Sequence, residues 1–278
     1  MQDLANKRED RASMKTKKVV FLMLALLVAL AALPWQRAAA EPKRYYVTET
    51  GTGSGIGGWD AASSDLKGIM DSAGSGDEIW VAKGTYSPGG NGADTFLLKR
   101  GVKVYGGFVG TETSVDDRDW ATNKTTLSGK IDESRNVYHV VTGQSGATSS
   151  DTRLDGFTIT GGNANGSNPA DKLGSGMYNV SSSPTVANCT FSGNTAFFGG
   201  GMFNDNSSPT VVNCTFSGNT ADLNGGGMQN YYSSPTVVNC TFSGNTANNG
   251  GGMHNYDCSP TVVNCTFSGN KASNGGGM

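Results

Sequence analysis

The residues in this 278-residue chain able to ligate, cross-link or catalyse are few: five cysteines, two histidines and scattered carboxylates. Four of the cysteines, Cys189, Cys214, Cys240 and Cys265, recur at steps of 25, 26 and 25. Such a file could make disulfides or a metal site, or it could be a row of small buried hydrophobes. The last reading is favoured, because side chains that run parallel on neighbouring strands do not close easily to the ~3.8 Å between Cβ atoms that a disulfide needs. Cys258 stands where other units carry Ser182, Ser207 and Ser233, and is expected to be incidental and partly exposed. His139 and His254 lie far apart, so neither a zinc site nor a Ser-His-Asp arrangement is assembled by sequence. Asp116-Asp117-Arg118-Asp119 has oxygens for Ca²⁺ but lacks the glycine and distal glutamate of a calcium loop, and reads as a solvated turn. Gly53-Ser-Gly-Ile-Gly-Gly58 satisfies G-x-G-x-x-G between a strand and a helix, yet no βαβ alternation follows; a glycine turn is the favoured reading.

Hydrolysis of a glycoside needs two carboxylates ~5–9.5 Å apart. Asp205, Asp222 and Asp257 fall at different phases of the repeat, so they do not align on one file. Asp132, Glu133, Arg135, Asp151, Arg153 and Asp155 supply acids and bases in a less regular stretch, with no spacing that selects a catalytic set. Asn179-Val-Ser and the four Asn-Cys-Thr triplets at Asn188, Asn213, Asn239 and Asn264 match the glycosylation pattern but recur as turns, and are read as structural. The sequence therefore assigns no catalytic, cofactor-binding or metal-binding residue.

The elements that must position these groups are set by a repeat. Gly199-Gly-Gly-Met202-Phe-Asn204, then Ser207-Ser-Pro209-Thr-Val-Val-Asn213-Cys214-Thr-Phe216-Ser-Gly-Asn219-Thr-Ala221, is one unit. Met177, Met202, Met228, Met253 and Met278 mark its recurrence at 25, 26, 25 and 25 residues, and Phe191, Phe216, Phe242 and Phe267 keep step. Units this short cannot bury an apolar face alone, so they stack. Glycine, asparagine, serine, threonine and proline exclude helical repeats. Short β-branched or apolar pieces between turn residues give three strands per unit. The fold class is all-β: a parallel β-helix of three-strand rungs of about 25 residues, spaced ~4.8 Å. Met, one Val, Cys and Phe are expected inside. Asn204, Asn230 and Asn255, with Asn213, Asn239 and Asn264, are expected in turns, pairing their amides up the stack. The glycine triplets permit corners or close backbone approach. A single excised repeat is expected to be unfolded, because its own burial does not offset the entropy of ordering it.

Glycine makes up 41 residues without a three-residue period, which excludes collagen, and charged residues are only 16%. Residues 1–40 hold seven of the 21 bases and three of the 23 acids, leaving 14 bases and 20 acids beyond them. No basic surface suited to nucleic acid remains. Lys15, Lys17 and Lys18 precede an uncharged run from Val19 to Trp35, and Ala38-Ala39-Ala40 follows. This reads as a secretory signal peptide with Glu41 first in the mature chain and Met14 as an alternative start; an uncleaved anchor is the less favoured alternative.

The pair Gly-Gly-Gly-Met and Phe-Ser-Gly-Asn resembles the GGA-[ILV] and F-x-x-N repeat of the chlamydial polymorphic outer-membrane proteins. The chain also resembles the wider right-handed parallel β-helix proteins of the pectin-lyase-like superfamily. Over 174–278 the match departs from the chlamydial pattern in having Gly-Met for Ala-Ile, and the membrane barrel of those proteins is absent. The resemblance implies a right-handed coil whose first rung, Gly76–Tyr86 here, follows a short amphipathic helix. Residues Asp60–Ala73 fit that helix, with Leu66, Ile69, Met70 and Ala73 on one face and Ser63 or Ser64 as N-cap; it is expected to cap the exposed edge strand.

The expected organisation is 1–40 extension and signal peptide, 41–90 cap and first rung, 91–173 irregular rungs, and 174–278 regular repeats. Strands are expected at Arg44–Thr48, Phe96–Leu98, Val102–Tyr105, Thr125–Leu127, Tyr138–Val141 and Leu154–Ile159, with insertions packed on the coil. Because the sequence ends four residues into a new rung, a fragment of a longer product is expected. Functionally, the reading is an exported, monomeric, adhesin-like or structural β-helix, secreted or on a bacterial surface, without a cofactor and with no catalysis evident. It would bind a polysaccharide or a host or neighbour cell-surface protein, and touch membrane only through the signal peptide or an absent anchor. Tyr178, Phe203, Tyr231, Tyr232 and Tyr256 are expected near one corner, either stacking on a glycan or merely packing a turn. The alternative is a polysaccharide lyase or glycoside hydrolase.

Overall fold

Each repeat bends at the same four places, and those bends fix the cross-section. Asn188, Asn213, Asn239 and Asn264 take left-handed backbone with φ between 51° and 54°, as do Ser181, Asn206, Tyr232 and Asp257 near 50°. Glycines supply the other two bends at Gly193/Gly218/Gly244/Gly269 and Gly199/Gly225/Gly250/Gly275. The computed structural model describes residues 41–148 and 151–278; the signal-peptide reading lies outside the described residues.

Between the bends run short strands that pair in parallel with the same strand of the next unit. Arg44–Val47, Glu78–Ala82, Lys103–Phe108, Arg153–Asp155, Thr185–Ala187, Thr210–Val212, Thr236–Val238 and Thr261–Val263 form the first sheet. The second runs from Gly84–Tyr86 through Thr125–Ser128, Phe157–Thr160, Thr190–Ser192, Thr215–Ser217 and Thr241–Ser243 to Thr266–Ser268. The third comprises Phe96–Leu98, Val141–Gly143, Met177–Val180, Met202–Asp205, Met228–Tyr231 and Met253–Tyr256. A small fourth joins Asn163–Ala164, Thr195–Phe198 and Thr220–Asn224. The strand expected at Tyr138–Val141 lies instead at Val141–Gly143, because Val141 is the residue in register with the Met177 file.

Register puts like on like. Met177, Met202, Met228 and Met253 face inward in one file, Val186, Val211 and Val237 in another, and Cys189, Cys214 and Cys240 in a third. Phe191, Phe216, Phe242 and Phe267 stack with centroids 4.7–4.8 Å apart and planes within 4°. The triplet glycines admit neighbouring backbone: a Cβ on Gly201 would collide with the carbonyl oxygen of Gly227.

The asparagines divide differently from the expectation. Asn204, Asn230 and Asn255 sit within strands rather than turns; Asn179, Asn204 and Asn230 are fully buried. Inward-facing amides need partners, and they find them in each other. Asn179 Nδ2 donates to Asn204 Oδ1 at 3.0 Å, Asn204 to Asn230 at 2.9 Å and Asn230 to Asn255 at 2.8 Å. A second interior ladder links Asn194, Asn219, Asn245 and Asn270 at 2.9–3.0 Å, and each Nδ2 also donates to a backbone carbonyl of the preceding rung, Asn219 to Phe191 at 2.9 Å. Two outer ladders run in the opposite sense: Asn239 donates to Asn213 and Asn213 to Asn188 at 3.3 Å, and Asn274 donates to Asn249 and Asn249 to Asn224 at 2.8–2.9 Å.

At the N-terminal end the helix is shorter than expected, Leu66–Ser72, and its N-cap is Asp65, whose side chain accepts from Gly68 N at 2.8 Å. Trp59–Ala61 forms a separate 3-10 turn. Leu66, Ile69, Met70 and Ala73 are buried as their spacing requires and seal the apolar interior. The edge of the first strand is covered by a different element. Tyr46 N donates to Gly55 O and Ser63 N to Tyr46 O, so the glycine segment 51–63 pairs with Arg44–Val47.

Candidate functional site

Most of the chemistry-bearing residues are committed to structure. All five cysteines are free thiols; Cys189, Cys214 and Cys240 are buried, while Cys258 and Cys265 are half-buried. Burial pushes the Cys214 thiol well up. Among the described residues no group of three or more His, Cys, Asp or Glu is placed to hold a metal. In the glycine segment, Gly53 N donates to Ala62 O and Gly55 N to Ala61 O, and a Cβ on either Gly51 or Gly53 would meet that backbone. Its amides are thus spent on the fold. Two carboxylates of Asp116–Asp119 close local turns: Asp117 completes a capping box with Ser114, and Asp119 accepts from Ala121 N and Thr122 N at 3.0 Å.

The acids and bases of the irregular rungs do not converge. Asp132 accepts from Ser134 N and Arg135 N at 2.9 Å and pairs with Arg135 Nε at 2.6 Å; these bonds, Ser134 N first, hold its pKa down to about 2. Asp151 accepts from the Thr148 and Thr152 hydroxyls, which lower its pKa. Asp155 is buried between two guanidiniums, Arg118 Nη2 at 2.7 Å and Arg153 Nη2 at 2.6 Å, and also accepts from Asn188 Nδ2 at 2.8 Å. Arg118 belongs to the insertion after Phe108, so this carboxylate anchors that insertion on the coil. His139 stacks on Tyr178 at 5.0 Å, and burial lowers its pKa. Asn179 of the glycosylation triplets points into the interior.

The outward face of the third sheet brings aromatic and polar side chains together at the surface. Tyr178, Phe203, Gln229 and His254 share one outward column; Val180, Asp205, Tyr231 and Tyr256 share the next. Beside them, ahead of the glycine corner, Leu173, Phe198 and Asn224 form a third file. These columns enclose a cleft of about 390 Å³ lined by Leu173, Phe198, Phe203, Asp205, Asn224, Gln229, Tyr231 and Tyr256. Phe203 and Gln229 are buried at its floor; Tyr231 and Tyr256 stand 37% and 49% exposed on its rim, stacked at 5.0 Å, with Tyr232 edge-on to both. Phe198 meets Phe203 edge-on at 6.4 Å. Gln229 donates from Nε2 to Asn230 O at 3.0 Å, and its Oε1 has no hydrogen-bond partner.

Residues 133–278 match the model of the right handed beta helix region. The chain belongs to that right-handed β-helix family. Among solved structures, the crystal structure of pectate lyase Pel9A is similar, with a TM-score of 0.55 and 17% sequence identity over 83% of this chain and 55% of that one. The β-helix described here thus spans about half the length of that enzyme, and the likeness is one of fold. No curated protein matches the chain. No helix among the described residues is long and apolar enough to cross a membrane.

Of the five aromatics singled out by sequence, the β-helix brings Phe203, Tyr231 and Tyr256 to the cleft, with Tyr232 at its rim and Tyr178 one rung away on His139. Sequence reasoning missed Leu173, Phe198, Asn224, Asp205 and Gln229. One signal was available: Phe197-Phe198 directly precedes a glycine triplet where the next units have Leu223-Asn224 and Asn248-Asn249. Another was the 26-residue step. Its extra residue enters Thr220–Asn224 as a register shift, so Ala196 pairs with Ala221 but Phe198 with Asn224, at the cleft wall.

Proposed function

We propose that this chain is an exported surface or secreted β-helix protein, adhesin-like or structural, that binds glycan or protein partners through the aromatic cleft and does not cleave them. The observation that carries this reading is the cleft itself. Three aromatic rings and a further phenylalanine face a space with few polar groups, the composition by which sugar rings and side chains are held through stacking with a small number of hydrogen bonds. Export rests on the signal-peptide pattern of residues 15–40, and surface placement on the resemblance of the repeats to chlamydial polymorphic outer-membrane proteins. Of the acids weighed for catalysis, Asp132, Asp151 and Asp155 each serve a turn or an ion cluster, which supports binding over turnover.

Screening the full chain against immobilised polysaccharides and glycan panels tests the reading, with Tyr231→Ala and Tyr256→Ala expected to abolish retention while leaving the circular dichroism unchanged. A second reading, a polysaccharide lyase or hydrolase, is favoured by the shared fold with a pectate lyase. It would displace the first if pectate, alginate or chondroitin were converted to unsaturated or reducing ends and Asp132→Asn removed that activity.

A further inference from the structure

The cleft has a polarity of its own. Its lining contains one carboxylate, Asp205, and no Lys, Arg or His. Asp205 Oδ1 accepts from Asn206 Nδ2 at 2.7 Å, and the half-buried carboxylate lines the cleft. Gln229 Nε2 donates to Asn230 O, and the side chain lies buried at the floor. Asn224 Oδ1 already accepts from Asn249. Around these acceptors stand the rings of Phe198, Phe203, Tyr231 and Tyr256, whose faces carry negative electrostatic potential. A uronate or other anion would meet Asp205 across an apolar wall with no compensating cation. An organic ammonium would meet aromatic faces and a carboxylate, the combination that recognises alkylammonium groups.

The neighbouring surface sharpens the contrast. Phe197, the other ring of the Phe-Phe pair, lines a separate cleft of about 220 Å³ with Lys172, whose ammonium lies 6.0 Å from the Phe197 ring. There the protein supplies the cation for an aromatic face; in the larger cleft that cation is lacking.

We propose that the cleft bounded by Phe198, Phe203, Asp205, Tyr231 and Tyr256 is a binding site for a compact organic ammonium group, carried by an amino sugar or by a quaternary ammonium headgroup. This rests on the reading of the cleft as the binding surface and names the ligand chemistry it takes. Excess acid in residues 41–278 favours the approach of such ligands at low ionic strength.

Isothermal titration of the full chain with choline, glucosamine, 3,3-dimethylbutan-1-ol and N-acetylglucosamine tests the proposal, the last two being neutral counterparts of the first two. At least one cationic probe is expected to bind about tenfold or more tightly than its neutral partner. Choline ahead of glucosamine identifies the quaternary headgroup, and the reverse order the amino sugar. Asp205→Asn should erase the preference for charge, and Tyr256→Ala should weaken the cationic probe; both positions are at the surface, and unchanged circular dichroism verifies folding. Equal affinity for charged and neutral partners, or a preference that survives Asp205→Asn, overturns the proposal. Retention of a neutral polysaccharide that depends on Tyr231, without ammonium binding, overturns it while leaving the cleft a glycan site. Absence of any cleft-dependent binding overturns both.

Discussion

Removing one interior amide, Asn219→Ala, is the sharpest test of how this coil is held. The Asn219 side chain makes four hydrogen bonds: Nδ2 donates to Phe191 O at 2.9 Å and to Asn245 Oδ1 at 3.0 Å, and Oδ1 accepts from Asn194 N at 3.2 Å and Asn194 Nδ2 at 3.0 Å. Truncation leaves some partners supplied. Asn245 Oδ1 keeps Asn219 N, and Asn194 Nδ2 keeps Ile159 O. The Asn194 backbone N–H loses its acceptor at a position with no solvent access. An orphaned buried donor costs about 1–3 kcal/mol, and each of the three other lost bonds about 1 kcal/mol net, so a destabilisation of about 4–6 kcal/mol is expected. Asn213→Gly is the matched control: its amide is near solvent, pairs at 3.3 Å, and its φ of 54° suits glycine, so the change should stay within about 1 kcal/mol. Urea unfolding followed by circular dichroism, with both variants compared at a common slope, reads the difference. If Asn219→Ala unfolded at the same midpoint as Asn213→Gly, the interior ladder would be ornamental and the account of the fold wrong.

Three further outcomes follow from the geometry. Phe216→Ala, opening a gap between rings stacked at 4.7–4.8 Å, should cost about 3–5 kcal/mol, and Phe216→Leu clearly less, by the same unfolding assay. Asp155→Asn leaves Arg118 and Arg153 without their carboxylate and should cost about 3–5 kcal/mol, with limited proteolysis cutting first in the insertion that contains Arg118. Burial depresses the His139 pKa below 6.5, so the unfolded chain takes up the proton first; stability should be level above about pH 6.5 and fall below it. Melting temperatures at pH 7.5 and 5.5 should therefore differ less in His139→Gln than in the parent, burial of His254 adding a slope of the same sign.

The repeat made the rung legible because a parallel stack turns sequence period into spatial register. The Met, Val, Cys and Phe files needed only their common phase and apolar character. The asparagines were harder: a left-handed corner and an inward amide are both served by the same residue type, and only the strand bounds separate Asn213 from Asn204. At the N-terminal end, an amphipathic stripe identified the helix face correctly, yet which element covers the strand edge depends on backbone hydrogen bonds of the glycine segment 51–63, which no side-chain pattern encodes. The cleft was half visible. Its rim tyrosines stood out, whereas Phe198, Asp205 and Gln229 become neighbours only once the register shift at Ala196 and the outward columns are known.

The opposed sense of the asparagine ladders has a consequence for how long such a molecule can be. Carboxamide dipoles aligned in single file would add with every unit, building potential at the two extremities as helices do. Here the two internal rows point one way and the two peripheral rows the other, so each additional unit contributes moments that largely offset. Duplication or loss of a whole repeat therefore changes length without charging the ends, and only the aromatic cleft, confined to the rungs from Leu173 to Tyr256, is tied to particular units.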